Sequence, residues 1–307
     1  MKRKFLHIRD TVIILAFTIY ALLDFFVIPK TYGTAQAQTV PEAAASALTA
    51  EAGAETDTTE TAEAEITGTS YQDGNISVIM KTYQVNDTIV YVADVQLSSI
   101  EYLKTAFAEN VYGRNVTETT SKNAEGVNAI LAINGDYYGA RDSGYVLRNG
   151  TLYRTNTSGR SQEDLVILSD GSFEIINESE TSAEELSELD ALQVFAFGPA
   201  LLTDGEISVT ISEEVSQAKS SNPRTAIAEI EPLHYLFVVA DGRTDESEGL
   251  TLYELAEFLQ HLGADTAYNL DGGGSSTMVF NGNLINNPTS TGKIKERSVS
   301  DIVYIGY

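Results

Sequence analysis

The chain has 307 residues, enough for one large or two small folded domains, and its formal net charge is −25 at pH 7. So large an acidic excess argues against nucleic acid and anionic membrane surfaces as partners of the folded part. The sequence contains no cysteine, which excludes disulfides, zinc–thiolate sites and a cysteine nucleophile.

The first 30 residues combine a basic cluster with an apolar segment. Lys2-Arg3-Lys4 precedes the run from Val12 to Ile28, a pattern typical of a membrane helix whose N-terminus stays in the cytoplasm. We expect an uncleaved anchor and a single-pass protein of the cell membrane, with its C-terminal domain outside the cell. The alternative is a signal peptide cleaved after Ala37, in Ala35-Gln36-Ala37, which would make the protein secreted.

Residues 31–75 have a different composition, rich in Ala, Thr and Glu, with few large apolar side chains and no Lys or Arg. Such a segment buries too little apolar surface to offset the entropy lost on ordering. We therefore predict a disordered acidic linker over 31–75 and a folded domain over 76–307.

Most elements after the linker are predicted to be strands, because the apolar runs are short, rich in β-branched residues and separated by turn residues. A mixed, largely antiparallel sheet with packed helices is expected, which makes the fold class α+β. The predicted strands are Ile76–Met80, Ile89–Leu97, Ala129–Ile133, Thr225–Ile230, Leu233–Ala240, Ala267–Leu270, Thr277–Phe280 and Ser300–Ile305.

Turn and cap signals place the hairpins and helices. Hairpin turns are predicted at Asn149-Gly150, Asp170-Gly171, Asp204-Gly205 and Asn281-Gly282. Helices are predicted over Ser99–Ala108, from the capping box of Ser182 and Glu185 through Leu192, and over Leu252–Leu262, where Thr251 and Glu254 form a second capping box.

Four polar clusters each lie close after an apolar run, where side chains leave a core and enter a cleft. Each cluster alone is typical of a turn. Together they supply three carboxylates, two guanidiniums and three consecutive glycines, which favours a ligand site. The clusters are Asn134-Gly135-Asp136-Tyr137-Tyr138, Asn222-Pro223-Arg224-Thr225, Asp241-Gly242-Arg243 and Asn269-Leu270-Asp271-Gly272-Gly273-Gly274-Ser275-Ser276.

These residue types suit recognition of an anion and acid–base chemistry. Arg224 and Arg243 have the planar donors that fit phosphate oxygens, and glycine amides can add further donors. Acid–base work would fall to Asp136, Asp241 and Asp271, because no histidine is placed for a Ser-His-Asp triad. The sequence requires no cofactor, although the same carboxylates could hold a divalent cation, Ca²⁺ or Mg²⁺.

In this order the four clusters, together with Glu296-Arg297-Ser298-Val299-Ser300, resemble the phosphodiester glycosidase family over Ile76 to Tyr307. One departure is Ala228, where the family commonly has glycine after the run Arg224-Thr225-Ala226-Ile227. A larger residue there could narrow the access of a ligand to the backbone near Arg224.

The resemblance implies a hydrolase that cleaves a sugar-1-phosphodiester at the anomeric carbon, in cell-envelope or extracellular glycans. The alternatives are a non-catalytic module that binds anionic wall polymers or exopolysaccharide, and an envelope scaffold with incidental clusters. The catalytic candidates are Asp271, Asp136 and Asp241. The substrate-binding candidates are Asn134, Arg224, Thr225, Arg243, Asn269, Gly272, Gly273, Gly274, Ser275, Ser276 and Arg297.

Overall fold

The structure is a computed structural model that describes residues 14–24, 27–34, 64–157, 159, 161–211 and 220–307. The described chain is mostly strand. In chain order the strands are β1 (Lys30–Thr34), β2 (Glu65–Ile66), β3 (Ser70–Gln72), β4 (Ile76–Val85), β5 (Thr88–Leu97), β6 (Leu103–Phe107), β7 (Val111–Arg114), β8 (Leu131–Asn134), β9 (Val146–Arg148), β10 (Thr151–Arg154), β11 (Glu163–Leu168), β12 (Phe173–Asn177), β13 (Ala191–Phe195), β14 (Ala200–Thr203), β15 (Glu206–Ile207), β16 (Arg224–Glu231), β17 (His234–Ala240), β18 (Thr266–Asn269), β19 (Met278–Phe280), β20 (Asn283–Leu284), β21 (Thr289–Ser290), β22 (Lys293–Ile294) and β23 (Asp301–Ile305).

Helices are few in the described residues. Residues 14–24 form α1. The others are α2 (Thr120–Gly126), α3 (Ala183–Glu188) and α4 (Leu252–His261).

Three sheets make up the body of the protein. The largest has nine strands in the order β15-β14-β18-β16-β17-β5-β4-β3-β2, and two five-stranded sheets have the orders β20-β19-β8-β23-β6 and β10-β9-β13-β11-β12. Every strand pairing within the described residues is antiparallel. The expectation of a single mixed sheet is therefore wrong, whereas that of a largely antiparallel fold with packed helices is confirmed.

The nine-stranded sheet is buried on both faces. Along β17, Phe237 and Val239 belong to the core shared with the five-stranded sheets, whereas Leu236 and Val238 belong to the core shared with α4. Side chains of a strand alternate between the two faces of a sheet, so a strand buried on both sides must be apolar throughout. This explains the continuous apolar run of β17.

Local signals located most elements correctly. Both predicted capping boxes are present, at Ser182 with Glu185 and at Thr251 with Glu254. The four predicted Asx-Gly turns join β9 to β10, β11 to β12, β14 to β15 and β19 to β20, each as an antiparallel hairpin.

Two predicted helices need correction. The segment Ser99–Ala108 contains only a turn of 3₁₀ helix at Ile100–Tyr102 and then β6, because Leu103–Phe107 pairs along its whole length with β23. The helix that begins after Ser182 ends at Glu188 and does not reach Leu192. Asp190 has a positive φ of 51° and turns the chain into β13, which contains Leu192.

The N-terminal part is described only in places. No helix within the described residues is long and apolar enough to cross a membrane. Most of the predicted linker, residues 35–63, and part of the predicted anchor lie outside the described residues. Strand β1 pairs with β7, and β2 and β3 extend the nine-stranded sheet beyond β4. Residues 31–34, 65–66 and 70–72 are thus ordered strand, although we placed them in the disordered linker.

Candidate active site

The triple glycine packs against two of the other clusters. The Gly273 amide donates to the carbonyl of Pro223 at 2.8 Å. A Cβ on Gly272 would lie 3.0 Å from the Pro223 carbonyl oxygen, and one on Gly273, whose φ is +62°, would lie 3.0 Å from Nη2 of Arg243. The close approach of Pro223 at Gly272 and the positive φ at Gly273 favour glycine at both positions, and the Gly273 amide, predicted to face a ligand, is already bonded within the fold.

Asn134 joins β8, β16 and the glycine loop. Its Nδ2 donates to the carbonyl of Asp271 at 2.6 Å, and its Oδ1 accepts from Oγ1 of Thr225 at 2.8 Å and from the Thr277 amide at 3.2 Å. Asn134 and Thr225 are both fully buried. These two predicted substrate-binding residues instead hold three chain segments together.

Asp271 and Arg297 form the polar centre of the site. Oδ2 of Asp271 accepts from Oγ of Ser275 at 2.7 Å and from Nη2 of Arg297 at 2.6 Å, and Nε of Arg297 donates to Ser275 Oγ at 2.8 Å. Burial raises the pKa of Asp271 above its ordinary value, and the charge of Arg297 opposes that rise. Asp271 therefore holds a proton more readily than an exposed carboxylate would.

Asp271 faces a cavity of about 170 Å³, which Asp136 and Tyr137 also line. Arg297 belongs to the same wall, and 42% of its side chain remains exposed. We call this the Asp271 cavity. It brings together two of the three predicted catalytic aspartates and one predicted substrate-binding arginine.

Asp136 is bound more completely than Asp271. Its Oδ1 accepts from the Tyr138 amide at 2.9 Å, and its Oδ2 accepts from the Ala196 amide at 3.1 Å. Oδ2 also lies 3.0 Å from Nη2 of Arg148, a fully buried side chain. The backbone amides and the guanidinium together fix the position of the Asp136 carboxylate.

Arg148 also binds Asp301, and neither residue was among those predicted from the sequence to belong to the site. Nε and Nη2 of Arg148 donate to Oδ2 of Asp301 at 2.9 and 2.8 Å. Burial raises the pKa of Asp301 to about 7, against the opposing charge of Arg148. Their only sequence signal was a charged residue within or beside an apolar strand, which does not separate a buried ion pair from a solvent-facing side chain.

Asp241 lies apart from the other two aspartates. Its Oδ1 accepts from Nδ2 of Asn286 at 3.1 Å and from the Asn287 amide at 3.0 Å, and burial raises its pKa. It does not line the Asp271 cavity. Its contacts tie the end of β17 to the loop that follows β20, which is a structural role.

Arg224 and Arg243 are neighbours, as expected, but their environments differ. Arg224 is buried, with Nε donating to the Leu250 carbonyl at 2.8 Å and Nη2 to the Ser220 carbonyl at 3.0 Å. Burial, assisted by the charge of Arg243, lowers the pKa of Arg224 to about 10. Arg243 is exposed, lies against Gly273 and donates to Asn222 Oδ1 at 2.8 Å. Of the two, Arg243 is the one that solvent and a ligand can reach.

The remaining candidates lie behind the glycine loop. Asn269 donates through Nδ2 to the Gly198 carbonyl at 2.8 Å, and its Oδ1 is buried without a hydrogen-bond partner among the described residues. Ser276 is fully buried, and its Oγ likewise has no partner within the part that the structure describes. Gly274 packs against Ser290, and its carbonyl accepts from the Arg297 amide at 3.1 Å.

A metal centre has little support from side-chain placement. In the described ranges, no three His, Asp or Glu side chains come together as a metal site would require. Asp136 and Asp271, which share one cavity, are the groups that a divalent cation could use. Binding of Ca²⁺ or Mg²⁺ thus stays a prediction.

Comparison with known proteins gives one family and several relatives. A family model described as phosphodiester glycosidase matches residues 127–306. The SPbeta prophage-derived uncharacterized protein YomE of Bacillus subtilis is 30% identical over 202 residues, which cover 64% of this chain and 31% of that protein. The N-acetylglucosamine-1-phosphodiester alpha-N-acetylglucosaminidase of Bos taurus is 31% identical over 179 residues, 49% of this chain and 34% of that protein.

A solved structure shares the fold. The catalytic domain of zebrafish N-acetylglucosamine-1-phosphodiester alpha-N-acetylglucosaminidase, auto-inhibited by its pro-peptide, superposes with a TM-score of 0.60 at 21% identity, covering 76% of this chain and 83% of that domain. The matched part of this chain spans about a third of the length of the Bacillus subtilis and Bos taurus relatives.

Proposed function

The chain belongs to the phosphodiester glycosidase family, and from that membership we propose that it hydrolyses a sugar-1-phosphodiester at the anomeric carbon. Three of its mammalian relatives, from mouse, cattle and human, are named N-acetylglucosamine-1-phosphodiester alpha-N-acetylglucosaminidase. An N-acetylglucosamine-1-phosphodiester is therefore the first substrate to test.

The observation that carries the proposal is the pairing of Asp271 with Arg297 at the wall of an open cavity. Asp271 is a carboxylate whose proton affinity is raised by burial, and Arg297 still exposes part of its side chain beside it. A carboxyl group with a raised pKa can exchange a proton with the substrate or with water, and a guanidinium can hold the phosphate oxygens. Proton transfer and anion binding would then occur in one place.

In the proposed reaction, a water oxygen bonds to the anomeric carbon while the bond from that carbon to the bridging oxygen breaks. The electron pair leaves with the phosphate, so the products are a free sugar and a phosphomonoester. Asp271 either accepts the proton of the water or donates one to the departing oxygen. A phosphate ester is a good leaving group, so either role is chemically sufficient.

The accessory groups have narrower roles in this proposal. Arg297 holds a phosphate oxygen on the exposed side of its guanidinium. Arg243, which lies against Gly273, attracts the anionic substrate to the glycine loop. Asp136 shapes the cavity and is held in place, because two amides and Arg148 bind its oxygens.

The place of action is proposed from the sequence pattern alone. The basic cluster and the apolar run from Val12 to Ile28 support export, with the domain outside the membrane and a substrate in cell-envelope or extracellular glycans. Fractionation of cells that express the full chain would test this. Recovery of the protein in the cytoplasmic fraction would contradict export.

The rate at which the Asp271→Asn variant hydrolyses a sugar-1-phosphodiester tests the proposed function. The amide keeps the shape of the side chain but cannot transfer the proton, so release of phosphomonoester should fall by roughly a hundredfold or more while substrate affinity holds. Asp87→Asn is the matched control, because Asp87 is exposed at the turn between β4 and β5. Full activity of Asp271→Asn would remove Asp271 from the mechanism. Binding without turnover in the wild-type protein would instead favour a non-catalytic module.

A further inference from the structure

A second and larger cavity, of about 410 Å³, lies next to the Asp271 cavity. At two places in the chain, neighbouring residues line one cavity and the other. Gly113 and Arg114 line the larger one, whereas the next residue, Asn115, lines the Asp271 cavity. Likewise, Arg141 lines the larger cavity and its neighbour Ala140 lines the smaller. The two cavities therefore lie within a residue or two of each other along both segments.

Tyrosine rings form one wall of this larger cavity. The rings of Tyr112 and Tyr138 are stacked, with centroids 5.6 Å apart and an interplanar angle of 18°. Tyr153 lies 5.0 Å from Tyr112, and Tyr32 of strand β1 lies 5.7 Å from it. Tyr32 is 61% exposed, so its ring is accessible to a ligand. We call this the tyrosine cavity.

Arginine side chains also line the tyrosine cavity and give it a positive charge. Arg114, Arg141 and Arg154 line the tyrosine cavity, and Asp142, paired with Arg114, is the only carboxylate among its lining residues. Three positive charges against one negative charge stand out in a chain of net charge −25. Such a local excess of positive charge attracts anions.

Within the described residues, Arg154 is hydrogen-bonded to carbonyl oxygens and not to a carboxylate. Its Nε donates to Gly144 at 2.6 Å, and its Nη1 donates to Arg141 at 2.7 Å. Its Nη2 is buried without a hydrogen-bond partner among the described residues. Oε1 of Glu178 lies near the same face of Gly144 as Nη2 of Arg154, but Glu178 does not line the cavity. A buried donor of this kind is costly unless a ligand or water satisfies it.

We propose that the tyrosine cavity binds an anionic sugar residue. Tyrosine faces pack against the C–H faces of a pyranose ring, and arginines bind the carboxylate or phosphate that the ring carries. This inference rests on the proposed function in one respect: the cavity receives the part of the substrate beyond the phosphodiester that is cleaved at Asp271.

Calorimetric titration of the full chain with three small sugars tests the proposal. Glucose 6-phosphate and glucuronic acid are the anionic probes, and glucose is the neutral control. At least one anionic probe should bind, with glucose about tenfold weaker or worse. Binding of glucose 6-phosphate alone identifies a phosphate-bearing ligand, and binding of glucuronic acid alone identifies a carboxylate-bearing one. No binding of either, or equal binding of glucose, would overturn the proposal.

Variants locate the probe. Tyr32→Ala should weaken binding of the anionic probe about fivefold or more, because it removes one aromatic wall. Tyr83→Ala, which removes a tyrosine packed on Phe258 away from both cavities, should leave binding unchanged. Asp271→Asn should also retain binding. Loss of binding in Arg297→Gln with none in Tyr32→Ala would place the probe in the Asp271 cavity and overturn the assignment.

Probe binding can be tested independently of hydrolysis, because neither anionic probe contains the bond that the proposed reaction breaks. Probe binding without hydrolysis of any sugar-1-phosphodiester would support the tyrosine cavity and contradict the proposed function. Hydrolysis without probe binding would do the reverse.

Discussion

Arg297 donates a hydrogen bond of 2.6 Å to the carboxylate oxygen of Asp271 that also accepts from Ser275. Burial raises the pKa of Asp271, and the guanidinium of Arg297 works in the opposite direction. The proton affinity of the proposed catalytic group thus depends on a neighbour that is itself partly exposed.

Arg297→Gln should shift the pH profile of kcat to higher pH. Removing the positive charge lets the pKa of Asp271 rise further, and the limb of the profile that reports its ionisation moves upward with it, whether Asp271 acts as acid or base. Lys295→Gln removes the same charge from an exposed site two residues away and should leave the profile unchanged. An unshifted profile in Arg297→Gln would separate this arginine from the titrating group.

Arg148→Met should destabilise the fold by about 3–5 kcal/mol, because it leaves the carboxylates of Asp136 and Asp301 buried without their cation. Urea denaturation measures the change. Lys81→Met breaks a partly exposed ion pair with Asp94 and should cost only about 0–1 kcal/mol. Equal stability of Arg148→Met and the wild type would show that Arg148 is not needed to stabilise those carboxylates.

The two arginines of the predicted anion clamp should differ in their mutational effects. Arg243→Ala should lower kcat/KM by about tenfold or more with little change in melting temperature, because the side chain is exposed beside the glycine loop. Arg224→Lys should instead lower the melting temperature, because lysine cannot reproduce the bonds to Leu250 and Ser220. A reversed pattern would return the anion-binding role to Arg224.

Glu229 should make stability depend on pH. Burial raises its pKa to about 7, although its Oε2 accepts from the Phe173 amide at 2.7 Å. Because the folded-state pKa lies above the unfolded value, the stabilisation is complete at low pH and is lost as the pH rises towards the folded pKa. The melting temperature of Glu229→Gln, measured relative to the wild type, should therefore be higher at about pH 8 than at about pH 5. Glu231→Gln is the control, because Glu231 is exposed on the same strand. If the melting temperature of Glu229→Gln differed from that of the wild type by the same amount at both pH values, Glu229 would not be the source of the pH dependence.

Those parts of the fold that depend on neighbouring residues were predictable from the sequence. The capping boxes at Ser182 and Thr251 and the Asx-Gly hairpins depend only on residues within one turn. The segment Leu103–Phe107 was misassigned because its strand conformation comes from pairing with β23, almost 200 residues later in the chain. The residues near Leu103–Phe107 do not indicate which distant strand pairs with them.

The sequence pointed to several residues that the fold brings together, and their catalytic and binding roles stay predictions. Three of the four clusters stand at the end of a strand, β8, β17 or β18, and the structure places Asp136, Asp271 and Arg297 at one cavity. Asn134 and Thr225 proved to be buried connectors, since a polar residue type alone does not indicate whether its partner is a ligand or another strand. Arg148 was missed because burial of a charge requires carboxylates that only the fold brings together.

The central claim is cleavage at the anomeric carbon, and the fate of the water oxygen tests it directly. The wild-type protein would hydrolyse an N-acetylglucosamine-1-phosphodiester in water enriched in the heavy oxygen isotope, with mass spectrometry of both products. We expect the heavy oxygen in the sugar and none in the phosphomonoester, because the bond between carbon and oxygen breaks. Heavy oxygen in the phosphomonoester would mean attack at phosphorus and would contradict cleavage at the anomeric carbon.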